Sequence, residues 1–216
     1  MIRPNRRHRY LMLGLPAMMA AGAMFHGTAG FAAQTANVAL PGYTLTRTGS
    51  VHDFDYFAGA WTTRQRKLKA RGVGSNEWEN FPATLCMTPY LDGAATVDEL
   101  YMPTKYVAGL TVRTFDPHTH QWSIYWVNSA IGKIDPVPEV GGFDGSRGEF
   151  YAQDHGSDGR PIKSRYLWTK LDRDHARWEQ AISYDDEAWE TNWTADFVRD
   201  DPVKVCENGR PKRSTP

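Results

Sequence analysis

The feature that most constrains this chain is a hydrophobic period of two that dominates the sequence after its first 32 residues, with no long stretch of helical periodicity. Runs at 108–115, 121–128, 148–153, 161–169, 176–184 and 189–199 are rich in β-branched and aromatic residues, which suit a pleated, half-buried surface. Clusters of Gly, Pro, Asn and Asp at 72–76, 89–93, 116–117, 135–145, 156–161, 172–174 and 185–186 separate them as turns. Sequential hairpins without crossover helices give a meander of nine or ten strands. Closing a meander on itself removes its two exposed edges, so the expected fold is an all-β antiparallel barrel.

The first 32 residues differ in kind. Arg3, Arg6, Arg7 and Arg9 precede an apolar stretch over 10–25, no acidic residue is present, and small residues follow near Ala32. That order is the pattern of an export signal, and Pro16 and the short length of the stretch argue against a membrane span. Arg6-Arg7 ahead of Tyr10-Leu11 is similar to a twin-arginine signal, and an ordinary basic leader fits as well. The expected organisation is a signal peptide over 1–32, a flexible segment over 33–50, a barrel over 51–200 and a tail over 201–216. The protein is then periplasmic or secreted, with no transmembrane span in its mature form. Removing the leader takes four arginines from 25 basic residues and leaves 21 against 25 acidic ones, a net charge of −4. Nucleic acid is not an expected partner, because binding it calls for a concentrated basic surface. Export also permits a disulfide between Cys86 and Cys206; the alternative is one buried thiol and one thiol in the tail.

The stretch "FDYFAGAWTTRQRKLKARG", residues 54–72, sets an apolar turn and a glycine before a tryptophan and a strongly basic strand. Phe54 and Phe57 suit one helical turn that plugs a barrel end, and Gly59 lets the chain bend tightly into a strand whose first inward residue is Trp61. This Gly-x-Trp resembles the start of lipocalins and other calycin barrels. The resemblance implies that Trp61 closes the barrel floor and that Arg199, at the end of "WETNWTADFVR", packs across it. The phrases "FDYFAGAW", "GAATVDE", "RTFDPHTHQWSIYW", "VGGFDGSRGEFY", "RPIKSRYLW", "ARWEQAIS" and "WETNW" together resemble a bacterial family of calycin-type barrels of the domain-of-unknown-function kind. Such a likeness implies a fold and brings no catalytic residues with it.

Alternation nominates a cavity lining. In "WETNWTADF" Trp189, Thr191, Trp193, Ala195 and Phe197 form one apolar face, with Trp178, Gln180, Ile182, Tyr184, Tyr166 and Trp168 as companions. In "QWSIYWVN" Trp122, Ile124 and Trp126 share one face and Ser123, Tyr125 and Val127 the other. The expected ligand-binding residues are Trp78, Arg113, Trp126, Arg165, Trp168, Trp178 and Trp193. An interior of aromatic rings with sparse polar groups is the usual small-molecule site, although rings of this kind also fill closed cores.

Charged residues allow two readings. Arg64 and Arg66 on the first strand are placed to pair across the sheet with Glu77 or Glu79 on a solvated face. Alternatively an inward arginine anchors a carboxylate or phenolate, and Arg113 and Arg165, mid-strand among residues suited to burial, are the candidates. No serine elbow, phosphate-binding glycine loop or zincin motif occurs. His118 and His120 lie two apart in a turn without an evident third ligand, so no metal site is expected. No cofactor is expected either, except that a haem barrel of the nitrobindin type also begins with Gly-x-Trp and needs an interior histidine such as His155 or His175.

The expected function is binding of a small apolar, aromatic molecule inside an exported barrel. A cofactor-independent lyase, decarboxylase or isomerase acting on an aromatic substrate is the first alternative, with Tyr125, Glu79 and Arg113 as its acid-base group. A structural or interaction protein with a filled core is the second. The sequence sets no oligomeric state.

Overall fold

The computed structural model describes residues 44–156 and 158–213, so the leader expected over 1–32 lies outside the described residues. Five strands, β1 (Gly59–Leu68), β2 (Trp78–Tyr90), β3 (Ala95–Met102), β4 (Val107–Asp116) and β5 (Gln121–Asn128), run as successive antiparallel hairpins. A two-residue strand β6 (Lys133–Ile134) pairs only with the end of β5. The meander then continues through β7 (Glu139–Asp144), β8 (Arg147–His155), β9 (Pro161–Lys170), β10 (His175–Ser183) and β11 (Glu190–Asp200). β11 pairs with β1, and Trp61 lies opposite Arg199 in that register. Leaving out β6, ten strands among the described residues form a closed antiparallel barrel. Among the described residues no helix is long and apolar enough to cross a membrane.

One end of the barrel is stoppered from within. A 3-10 turn at Asp55–Phe57 drives Phe54 and Phe57 into the lumen, where they are essentially inaccessible. Phe54 meets Trp122 edge-on at 5.1 Å and Phe143 at 5.3 Å, while Phe57 stacks on Trp61 at 5.0 Å. The Trp61 indole donates to the Phe57 carbonyl at 2.9 Å, which satisfies its only polar atom. Outside it, the Arg199 guanidinium lies 4.2 Å from the Trp61 ring and donates to the carbonyls of Ala58, at 2.9 Å, and Tyr56. Gly59 joins turn to strand at φ +104, a conformation in which a side chain would be strained.

Residues 44–50, expected to be flexible, lie against the barrel. The Gln121 side chain donates to the carbonyls of Leu45 and Arg47 at 2.7 and 3.0 Å, and the Gly49 amide donates to His120 at 2.8 Å. This crossing explains a second departure, because the segment 135–145 that reads as one turn contains β7. A Cβ on Gly142 would lie 2.4 Å from the Thr48 backbone, and one on Gly141 would lie 2.0 Å from the Glu149 carbonyl. The two glycines are contact points inside a strand, not turn residues.

The tail is fastened to the outer wall. A single turn, α1 (Pro202–Val205), capped by the Asp201 side chain, leads into the two-stranded ribbon β12 (Cys206–Glu207) and β13 (Arg210–Pro211). A disulfide joins Cys206 to Cys86 on β2, and Arg213 pairs with Glu99 on β3 at 2.5 Å. The disulfide closes a sequence separation of 120 residues and so removes a large share of the freedom of the unfolded chain.

Candidate functional site

Above the aromatic stopper the barrel encloses a cavity of about 330 Å³ that opens at the end carrying the β1–β2, β5–β7 and β8–β9 connections. Alternation from Trp61 puts Thr63, Gln65 and Lys67 of β1 inside and Arg64 and Arg66 outside. The basic strand is therefore mostly an outer face. Its expected ion pairs differ in detail: Arg66 stacks over Trp78 at 4.2 Å, Lys69 rather than an arginine pairs with Glu77 at 3.2 Å, and Glu79 pairs with Lys105.

Three indoles and a phenol form the upper wall. Trp193 meets Trp178 at 5.5 Å and Trp126 at 6.2 Å, both nearly perpendicular, and Trp178 meets Tyr166 at 5.0 Å. The Trp126 ring lies over Gly109 of β4, where a Cβ would fall 1.7 Å from ring carbon; the glycine makes room for the indole. Gln65 fixes Trp193 by accepting from its indole nitrogen at 2.8 Å while donating to Thr63 at 2.7 Å. Gln180 and Asn192 add polar atoms to a wall otherwise closed by Leu85, Leu100, Ile124 and Phe197.

The floor holds an ion pair. Arg113 of β4 is buried, donates to Asp98 of β3 and reaches Thr96 at 3.4 Å, with its guanidinium 4.8 Å from the Phe54 ring and 5.6 Å from Trp168. Asp98 is the internal counter-ion. Arg113 does face the interior, but its charge is already matched and is not a free anchor for an anion.

Part of the expected lining lies elsewhere. Trp126, Trp168, Trp178 and Trp193 border the cavity. Trp78 is outside under Arg66. Arg165 is outside because its neighbours Ser164 and Tyr166 point in, and its guanidinium lies 4.2 Å from the Trp189 ring. Tyr125 is outside because Ile124 and Trp126 point in, and Glu79 is held at the rim by Lys105; neither borders the cavity, so the grouping of Tyr125, Glu79 and Arg113 does not form. Trp189 and Thr191 leave the inner face because the β10–β11 register skips Asn192: Gln180 opposes Trp193 while Ala181 opposes Thr191. One extra residue in a strand reverses the facing of everything beyond it. Both histidines named for haem, His155 and His175, are exposed, and no histidine among the described residues borders the cavity, so the interior does not fit a histidine-ligated haem.

The group that sequence reasoning missed is Glu139 on β7. Its buried carboxyl accepts from Ser164 at 3.1 Å and hydrogen-bonds with Tyr166. Burial pushes it up from 4.5 to about 8, against the opposing pull of the two hydroxyls. The folded protein therefore keeps this proton between pH 4.5 and about 8 while the unfolded chain has lost it, and stability falls as pH rises through that window. Glu139→Gln is expected to raise the unfolding free energy at pH 7 by up to about 3 kcal/mol and to change little at pH 4. Urea melts of parent and variant at both pH values measure this, and equal midpoints at pH 7 would contradict a proton held by burial.

Fold and site together define a closed ten-stranded antiparallel barrel with a mouth, an aromatic-walled interior and a plugged floor. The chain matches no protein-family model and no curated protein.

Proposed function

We propose that the barrel binds a small aromatic molecule in its interior. The observation that carries this reading is the cavity of about 330 Å³ beside Trp126, Trp178, Trp193 and Tyr166. That volume falls within the range of small-molecule sites, and a few polar groups among apolar walls is their usual composition. The cavity favours binding over a filled core. The pattern of the first 32 residues and the disulfide both support export to an oxidising compartment. The calycin resemblance rests on Gly59, Trp61 and Arg199 at the closed end and remains part of this proposal.

Titration with a panel of one- and two-ring aromatics, following tryptophan emission, is expected to give saturable quenching. Trp178→Ala is expected to weaken the best binder by about 10-fold, because an aromatic contact and its buried area are lost together. A panel with no saturable binder would overturn the reading.

One observation favours a catalytic role: Glu139 beside Tyr166 is a protonated acid in the same cavity, suited to donating a proton to a bound aromatic substrate. Incubation of each binder with the protein and chromatography of the products tests this. Turnover lost in Glu139→Gln would place the protein among enzymes of the proton-transfer kind, and unchanged compounds throughout would leave a binding protein.

A further inference from the structure

Among the described residues the cavity's charges are three cations, Lys67, Arg71 and Arg113, and four carboxyls, Asp98, Asp135, Glu139 and Asp154. Most are already matched. Arg113 is held by Asp98 at the floor, and Arg71 by Asp154 at 3.1 Å near the mouth. Glu139 is engaged by Ser164 and Tyr166, and Asp135 is exposed and accepts from the Val137 amide at 3.1 Å.

Lys67 differs from all of these. It points inward from β1, two residues beyond Gln65, and its ammonium lies 3.9 Å from the Trp193 ring centroid. Among the described residues no carboxylate forms an ion pair with it; Glu79, its cross-strand neighbour on β2, is bound by Lys105. Burial and the nearby Arg71 and Lys105 depress its pKa against the opposing pull of Glu79. A cation held over an indole at the inner rim, with two neighbouring cations already spoken for, is a place where one negative charge is stabilised and a second is not needed.

We propose that the ligand is an aromatic monoanion, with its rings among Trp126, Trp178 and Trp193 and its carboxylate on Lys67 at the mouth. The proposal rests on the binding reading above and adds the charge of the ligand and its direction in the barrel. The anion faces outward because the floor presents the neutralised Asp98–Arg113 pair and the stopper rings, which offer no uncompensated positive charge. Lys67 is then a specificity-determining residue: it selects an anionic aromatic over its neutral isostere.

The test compares 2-naphthoate with 2-naphthamide, which share rings and shape and differ in charge, by calorimetric titration of the full chain at pH 7. The parent is expected to bind the carboxylate roughly 10- to 100-fold more tightly than the amide, the range for a charge-assisted hydrogen bond in a partly desolvated site. Lys67→Met keeps the apolar stem against Trp193 and is expected to abolish that preference while leaving the amide's affinity within about 3-fold. Lys67→Arg keeps the charge and is expected to retain most of the preference. Thermal melts of both variants show whether the barrel is intact. Equal affinities in the parent, tighter binding of the amide, or a preference that survives Lys67→Met would each overturn the charge assignment while leaving aromatic binding standing. Absence of binding by both compounds would overturn the charge assignment together with the binding reading on which it rests.

Discussion

Trp61→Ala is expected to lower the unfolding free energy by about 3 to 5 kcal/mol, the cost of deleting a large buried aromatic. The side chain is completely inaccessible, stacks on Phe57 at 5.0 Å, meets Phe197 edge-on at 6.3 Å and carries Arg199 on its other side. Its removal opens a cavity that neighbours on three elements cannot close without moving the stopper turn. It also leaves the Phe57 carbonyl without its indole donor. Because the ligand cavity lies above the stopper, a folded Trp61→Ala protein is expected to keep its ligand affinity within a few-fold. Urea denaturation followed by far-ultraviolet circular dichroism measures the loss, and a midpoint equal to the parent's would show that the floor does not depend on this ring.

A comparable loss is expected from Asp98→Ala. Both partners of the Asp98–Arg113 pair are almost fully buried, so removing the carboxylate leaves a guanidinium in an apolar floor with Thr96 as its remaining acceptor. Breaking a buried pair in this way costs about 3 to 5 kcal/mol, whereas replacing both members by apolar groups is often neutral or stabilising. The combined variant Asp98→Ala, Arg113→Met is therefore expected to recover most of the stability that the single change loses. A double-mutant cycle by urea melts gives the coupling directly. An additive cycle would mean that the pair is not a coupled buried unit.

These two predictions sit on different levels of legibility. Trp61 could be read from residues 54–61 alone, since an apolar turn, a glycine and a tryptophan are local instructions. The pairing of Arg113 with Asp98 is a property of the β3–β4 register, in which Arg113 opposes Thr96 and reaches diagonally along the strand. Lys67 was within reach of parity, because counting in twos from an inward Trp61 arrives at Gln65 and then Lys67. The same counting places Arg165 and Tyr125 outside, next to inward Tyr166 and Trp126, since adjacent strand residues cannot share a face. Glu139 carried no comparable signal: Gly141 and Gly142 interrupt its strand, and their purpose appears only when the backbones of Thr48 and Glu149 are seen against them.

By itself the sequence determined the class of fold, the strand and turn succession apart from β7, and the aromatic stopper, because alternation, turn chemistry and the Gly59 bend act over a few residues at a time. Only the tertiary structure decided which rings enter the cavity, which charges are already paired and which one is left over. Those outcomes depend on the skipped Asn192 in the β10–β11 register, on β11 closing against β1, and on side chains from distant strands meeting in one lumen. A shift of one residue in any of those pairings turns a lining residue into a surface one, and no local propensity encodes it.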